Sequence, residues 1–130
     1  MSEKEKILFV DDDKDLRDFF TRAMNIAGYE LICADNGDSA IEILKQDLPL
    51  RLAVIDFMMP HTTGWELINY IREDSAYKKM PIIVFTGLLA STNALDKIRK
   101  ECFAILQKGD FELEKFIEIV KKAIESGENK

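Results

Sequence analysis

Asp11, Asp12, Asp56, Thr86 and Lys108 are the residues of this 130-residue chain whose types and positions could do chemistry together. Each stands at or just past the end of a hydrophobic run. Ile7-Leu8-Phe9-Val10 runs into Asp11-Asp12, and Leu52-Ala53-Val54-Ile55 into Asp56. Ile82-Ile83-Val84-Phe85 runs into Thr86, and Phe103-Ala104-Ile105-Leu106 reaches Lys108 after one intervening residue. In a parallel sheet the C-terminal ends of all strands share one edge, where open α/β folds bind ligands. Three carboxylates, a hydroxyl and an ammonium group should therefore converge there.

Carboxylates ~4 Å apart repel by about 1 kcal/mol in water, and by several times more in a partly desolvated cleft. One lysine cannot offset three such charges. A hard divalent cation can, and Mg²⁺ prefers a partly hydrated site of carboxylate oxygens. Asp13 is assigned no part in this and serves as a helix cap. Asp56 suits the role of nucleophile, because a carboxylate attacking a phosphoryl group gives an acyl phosphate. Lys108 and the cation would neutralise charge on the transferring oxygens, and Thr86 would donate a hydrogen bond to one of them. Taken singly, a strand-end threonine and a lysine are ordinary features; their convergence is what assigns them.

The elements that must position these groups alternate strand and helix five times, with no linker, repeat or low-complexity stretch. Strands are predicted near residues 6–10, 29–33, 52–56, 81–86 and 103–107, and helices near 14–27, 37–46, 64–73, 90–100 and 112–126. The first helix places Leu16, Phe19, Phe20, Ala23, Met24 and Ala27 on one face. Asp13 should cap its start and Gly28 end it. Leu113, Phe116, Ile117, Val120 and Ile124 repeat the pattern in the last helix. The fourth has only a thin stripe, from Ala90, Ala94, Leu95 and Ile98. The first, third and fourth strands are continuously apolar, as expected of a parallel sheet covered on both faces. The expected fold is α/β, a doubly wound five-stranded parallel sheet with five helices.

Nearly half the residues are hydrophobic and about a third charged, a globular balance. No apolar run approaches the ~20 residues that span a bilayer, and the charged N-terminus is no signal peptide. A single domain over residues 1–130, cytoplasmic and without an output domain, is the expectation. The net charge of −6 argues against a nucleic-acid surface. Cys33 and Cys102 lie in hydrophobic contexts without metal-ligand spacing and are expected to be buried apolar residues. His61 is the only histidine, which excludes a histidine-rich metal site.

The chain resembles the receiver domain of two-component response regulators over almost its whole length. Ile7 to Asp13 is similar to the family's acidic pocket after the first strand. Asp56-Phe57-Met58-Met59-Pro60, followed by Gly64, is similar to its phosphorylation motif, and Pro81 to Gly87 to its fourth strand with the switch threonine. Asn36-Gly37 before Ala40-Ile41 resembles its second-helix start. The resemblance implies a flavodoxin-like fold with strand order 2-1-3-4-5. It implies Asp56 as phosphoacceptor and Asp12 as direct Mg²⁺ ligand. Asp11 would act largely through cation-bound water, the backbone carbonyl of Met58 would complete the ligands, and Thr86 and Lys108 would bind phosphoryl oxygens. The phosphate would come from a histidine kinase or histidine phosphotransfer protein, and a downstream protein would be the target. A monomer or weak dimer is expected, with no enzymatic activity beyond its own phosphorylation and dephosphorylation.

Three departures from that pattern stand out. Gly109 follows Lys108 where proline is usual, and a cis peptide there would cost ~3 kcal/mol without proline. Ile105 stands where a switch aromatic is usual, and Glu101-Cys102 where Gly-Ala is. Ile105 and Gly109 favour, as an alternative, a receiver-like binding module independent of phosphorylation. An aspartyl-phosphate phosphatase is disfavoured, because Met58 stands where its second aspartate would be. No Ser/Thr/Gly-rich loop follows a strand, which disfavours a flavin carrier.

Overall fold

Five hydrophobic segments pair side by side as parallel strands in the computed structural model, in the order β2-β1-β3-β4-β5. They are β1 (Glu5–Val10), β2 (Tyr29–Ala34), β3 (Leu50–Asp56), β4 (Ile82–Thr86) and β5 (Ala104–Gln107). The structure describes residues 4–57, 64–87, 96, 98–110 and 112–128, with the side chains of 110 and 128 left aside. Four α-helices are present among these residues: α1 (Lys14–Ile26), α2 (Gly37–Leu44), α3 (Gly64–Glu73) and α4 (Leu113–Glu128). Five were expected. The fourth predicted helix, residues 90–100, falls mostly outside the described residues, where only Asp96, Ile98 and Arg99 are helical.

Strand alternation sends successive side chains to opposite faces, and each face acquires its own helical layer. Leu8, Val10, Ala53, Ile55, Ile82 and Val84 pack with Ala40 and Leu44 of α2 and with Leu67, Ile68 and Ile71 of α3. Ile7, Phe9, Leu52, Val54, Ile83 and Phe85 pack with α1 and α4. The second layer is built round Phe20, whose ring lies 5.1 Å from Phe9, 5.7 Å from Phe85 and 5.0 Å from Phe116. β4 is buried throughout, as are residues 7–10 of β1 and all of β3 but Arg51, whereas β2 and β5 are only partly covered because each is an edge.

The helix boundaries follow the local chemistry. Asp13 Oδ1 accepts from Leu16 N at 3.2 Å, as an N-cap should, and Asn36 Oδ1 accepts from Ser39 N at 2.8 Å to start α2. Gly28, at φ +101°, ends the first helical segment in a conformation that favours glycine. Two expectations need correction. Phe19 is 44 % exposed rather than core, because only the narrow stripe of Phe20 and Met24 faces the sheet squarely. Both cysteines are half-buried free thiols rather than core residues, since they sit on β2 and in the turn before β5, at the sheet margins.

Candidate functional site at the C-terminal edge of the sheet

Val10 of β1 is in register with Ile55 of β3, so Asp11 and Asp56 leave their strands side by side. Asp56 in turn pairs with Phe85, and Thr86 with Gln107, which places Lys108 one step beyond β5. The hydrophobic register of four strands thus delivers five polar residues to one edge. Asp11, Asp56 and Thr86 are nearly inaccessible, at 1 %, 3 % and 1 % exposure, while Asp12 is exposed.

The carboxylates of Asp11, Asp12 and Asp56 each offer an oxygen within 4.8 Å of the others. Lys108 Nζ lies 2.9 Å from Asp11 Oδ2 and 3.0 Å from Asp56 Oδ2. Burial works against the charged form of Lys108. The contacts and charges of Asp11 and Asp56 outweigh it, and the lysine pKa stands above its ordinary value. One ammonium thereby spans two of the three carboxylates and leaves net negative charge at the edge.

The backbone holds this arrangement in place. Asp13 N donates to Asp11 Oδ1 at 2.9 Å, fixing the carboxylate across its own turn. Asp11 N donates to Ala34 O at 3.1 Å, extending the β1–β2 pairing by one residue. Phe57 N donates to Phe85 O at 2.8 Å, and Gly64 N to Phe57 O at 3.3 Å. The last contact brings residues 57 and 64 together immediately beside Asp56. A Cβ on Gly64 would come within 2.8 Å of Phe57 Cα, so only glycine fits that approach.

The donor set fits Mg²⁺. Asp11 Oδ2 is a buried oxygen with no hydrogen-bond donor aligned on it, and Lys108 approaches it as a charge rather than along a hydrogen bond. That ammonium is shared with Asp56, so one positive charge meets two buried carboxylates and leaves negative charge for a further cation to offset. Three carboxylates within reach of one point, two buried and one exposed to water, match an oxygen-ligated, partly hydrated ion. Asp11, Asp12 and Asp56 are the residues that would hold it. Met58, expected to add its carbonyl, lies outside the described residues.

The structure therefore brings together Asp11, Asp12, Asp56 and Lys108 by direct contact or proximity, and Thr86 by register. Two arginines that the sequence does not mark brace the fold, Arg17 at this edge and Arg72 at the opposite one. Arg17 Nη1 donates to Asp11 O at 2.8 Å from the second turn of α1. A cation so near a helix N-terminus runs against the helix dipole, and the Asp11 carbonyl offsets that cost. Arg72 donates to the carbonyls of Lys78, Met80 and Glu101 at 3.2, 2.8 and 2.5 Å, tying α3 to the segment that enters β5. No sequence pattern announces such a clasp. Among the described residues there is no cis peptide bond, and Lys108–Asp110 form one 3-10 turn.

Residues 7–121 match the family model of the response regulator receiver domain. The chain is 39 % identical over 87 residues to a probable transcriptional regulator, ycf27, of Porphyra purpurea, covering 67 % of this chain and 34 % of that protein. It spans about a third of the length of such curated relatives. The chemotaxis protein CheY4 of Vibrio cholerae superposes with a TM-score of 0.83 at 25 % identity, covering 92 % of this chain and 98 % of that one. A response regulator receiver domain protein of Clostridium thermocellum superposes with a TM-score of 0.85 at 21 % identity, covering 95 % and 97 %.

Proposed function

The chain belongs to the family of response regulator receiver domains of two-component signalling, and we propose that within it the chain is a working phosphoacceptor whose acceptor is Asp56. The observation that carries this reading is the paired geometry at the sheet edge. Asp56 is buried, its Oδ2 is 3.0 Å from Lys108 Nζ, and a second buried carboxylate with an unaligned oxygen stands beside it. Membership implies a histidine kinase or phosphotransfer protein as partner.

In the proposed reaction an Asp56 carboxylate oxygen bonds to phosphorus as the donor's phosphorus–nitrogen bond breaks. The leaving imidazole takes up a proton from water. Lys108 keeps its charge beside Asp56 and follows the developing charge onto the phosphoryl oxygens, which its raised pKa supports at neutral pH. Thr86, at the adjoining strand end, supplies a hydroxyl to the transferred group. Bound Mg²⁺ would supply charge neutralisation for carboxylates and phosphoryl oxygens together. The chain acts on its own aspartate and on no other substrate. Its output is altered affinity for a downstream protein, driven by the added charge of roughly −1.5 to −2.

Incubation with acetyl phosphate and Mg²⁺, followed by intact mass, tests this. One addition of ~80 Da, labile to hydroxylamine and absent in Asp56→Asn, is expected of an aspartyl phosphate. Equal labelling of Asp56→Asn would remove Asp56 from the mechanism.

Ile105 packs against the core on the α2/α3 side of the sheet and pairs with Val84. It supports a second reading, a receiver-like module whose partner binding ignores phosphorylation. A partly buried isoleucine packed against the core offers no aromatic ring to swing, so the response on β5 would be small. Partner affinity that is equal with and without a beryllofluoride mimic would favour this second reading.

A further inference from the structure

The edge opposite the acidic site, where β4 and β5 begin, carries a basic cleft. A cavity of about 330 Å³ is lined there by Arg72, Lys78, Lys79 and Lys100, with Glu101 as its one acid. Arg72 and Glu101 satisfy each other at 3.5 Å, and the remaining nitrogens of Arg72 are turned to backbone carbonyls. Lys78, Lys79 and Lys100 are all exposed and have no ion pair among the described residues. Three uncompensated cations thus gather at one place on a chain of net charge −6.

The cleft is also not purely polar. Pro81 and Phe103 form part of its wall, and Phe103 is 43 % exposed, one of only three large hydrophobic residues so open among those described. A second hollow of about 190 Å³ shares Lys79 and Pro81 and adds Arg51 and Tyr77. The two hollows adjoin at Lys79 and Pro81 as a trough open to solvent, with its unpaired basic charge gathered in the first, since Arg51 in the second pairs with Glu5 at 3.8 Å. Small-molecule pockets enclose most of their ligand, and this trough does not. Its shape suits an extended chain, and its charge suits carboxylates.

We propose that this trough docks an acidic segment of a partner protein, with glutamates or aspartates on Lys78, Lys79 and Lys100 and an apolar side chain against Phe103. The proposal is independent of phosphorylation at Asp56, because it uses residues at the other end of the sheet. Exposed charge pairs contribute little individually, so the affinity should be modest, strongly salt-dependent and carried by several contacts at once.

The test is fluorescence anisotropy of the full chain with a labelled peptide of about six glutamates and two leucines, with a short oligothymidylate as the competing polyanion. Saturable peptide binding is expected, weakened about tenfold between ~50 and ~300 mM salt. Lys78→Glu with Lys100→Glu should weaken it at least about tenfold, and Lys100→Gln alone about threefold. Phe103→Ser should weaken it several-fold without changing the salt dependence. Lys115→Glu with Lys122→Glu, on the exposed face of α4, should leave it within about twofold. Thermal melts establish that each variant is folded. Absence of saturable binding overturns the proposal, as does equal weakening by the α4 reversal. Preferential binding of the oligothymidylate overturns it in favour of a nucleic-acid surface.

Discussion

Replacing Lys108 by methionine should make the metal-free chain less stable and make it bind Mg²⁺ more tightly, and the opposite signs make the experiment informative. The ammonium lies 2.9 Å from Asp11 and 3.0 Å from Asp56, both almost fully buried, while its own side chain is 30 % exposed. Removing one partner of a fully buried pair costs about 3–5 kcal/mol, and an exposed pair contributes only about 0.2–1 kcal/mol. The partial exposure puts the loss near 2 kcal/mol, a fall of roughly 6–10 °C in Tm for a domain of this size. The same ammonium occupies the oxygens a cation needs. Binding Mg²⁺ to wild type must loosen those contacts, whereas Lys108→Met has nothing to displace. Relief of about 1–2 kcal/mol corresponds to roughly 5- to 30-fold tighter binding. Calorimetric titration and urea melts with and without Mg²⁺ read both quantities, and added Mg²⁺ should recover much of the lost stability. A folded Lys108→Met chain with unchanged or weaker Mg²⁺ affinity would refute the competition.

The same lysine makes a pH prediction. Its folded pKa is raised by Asp11 and Asp56, so its stabilising effect is fully present below the ordinary lysine value of 10.5 and lost as pH rises through the higher folded value. The stability gap between wild type and Lys108→Met should therefore be flat across neutral pH and close only in strong alkali; a gap already closed at pH 8 contradicts the pairing. Gly64→Ala should lower stability by about 1–3 kcal/mol, because a Cβ meets Phe57 Cα and Cδ1 at 2.8 Å, and an unchanged urea midpoint would show that the clasp yields freely. Arg72→Ala should cost about 2–4 kcal/mol through three deserted carbonyls. Arg72→Lys should rescue little, since one ammonium cannot reach all three, and full rescue would reduce Arg72 to a simple charge. Burial pushes the Cys102 thiol up to about 11, with Arg72 and Arg99 pulling the other way; it should alkylate slowly at pH 8 in the folded chain and fast in urea, and fast folded-state reaction would contradict its burial.

Most of the fold is legible in the sequence because the central strands carry an unusually clean signal. Ile7 to Val10, Leu52 to Ile55 and Ile82 to Phe85 are apolar on both faces, which only a sheet covered by helices on both sides can accommodate. That pattern also located Asp11, Asp56 and Thr86, since the first polar residue after such a run must emerge at the sheet edge. Edge elements are less legible. Phe19 and the cysteines look like core by type, yet their exposure depends on how far the neighbouring layer extends, which is a tertiary quantity. The pairing of Lys108 with both Asp11 and Asp56 depends on the register across three strands, and the carbonyl clasps of Arg17 and Arg72 involve backbone groups that every residue possesses. Side-chain identity cannot mark an acceptor that is common to all residues.

The central claim is that Asp56, and no other carboxylate of the acidic edge, receives the phosphoryl group. Borohydride reduction after treatment with acetyl phosphate and Mg²⁺ tests it at the residue level, because an acyl phosphate is reduced to the alcohol while free carboxylates are not. Peptide mapping should find homoserine, ~14 Da lighter than aspartate, at position 56 alone. The signal should vanish when Mg²⁺ is chelated or when Asp12, the exposed member of the cluster, is replaced by alanine. Homoserine at position 11 or 12 with position 56 unmodified would contradict the account.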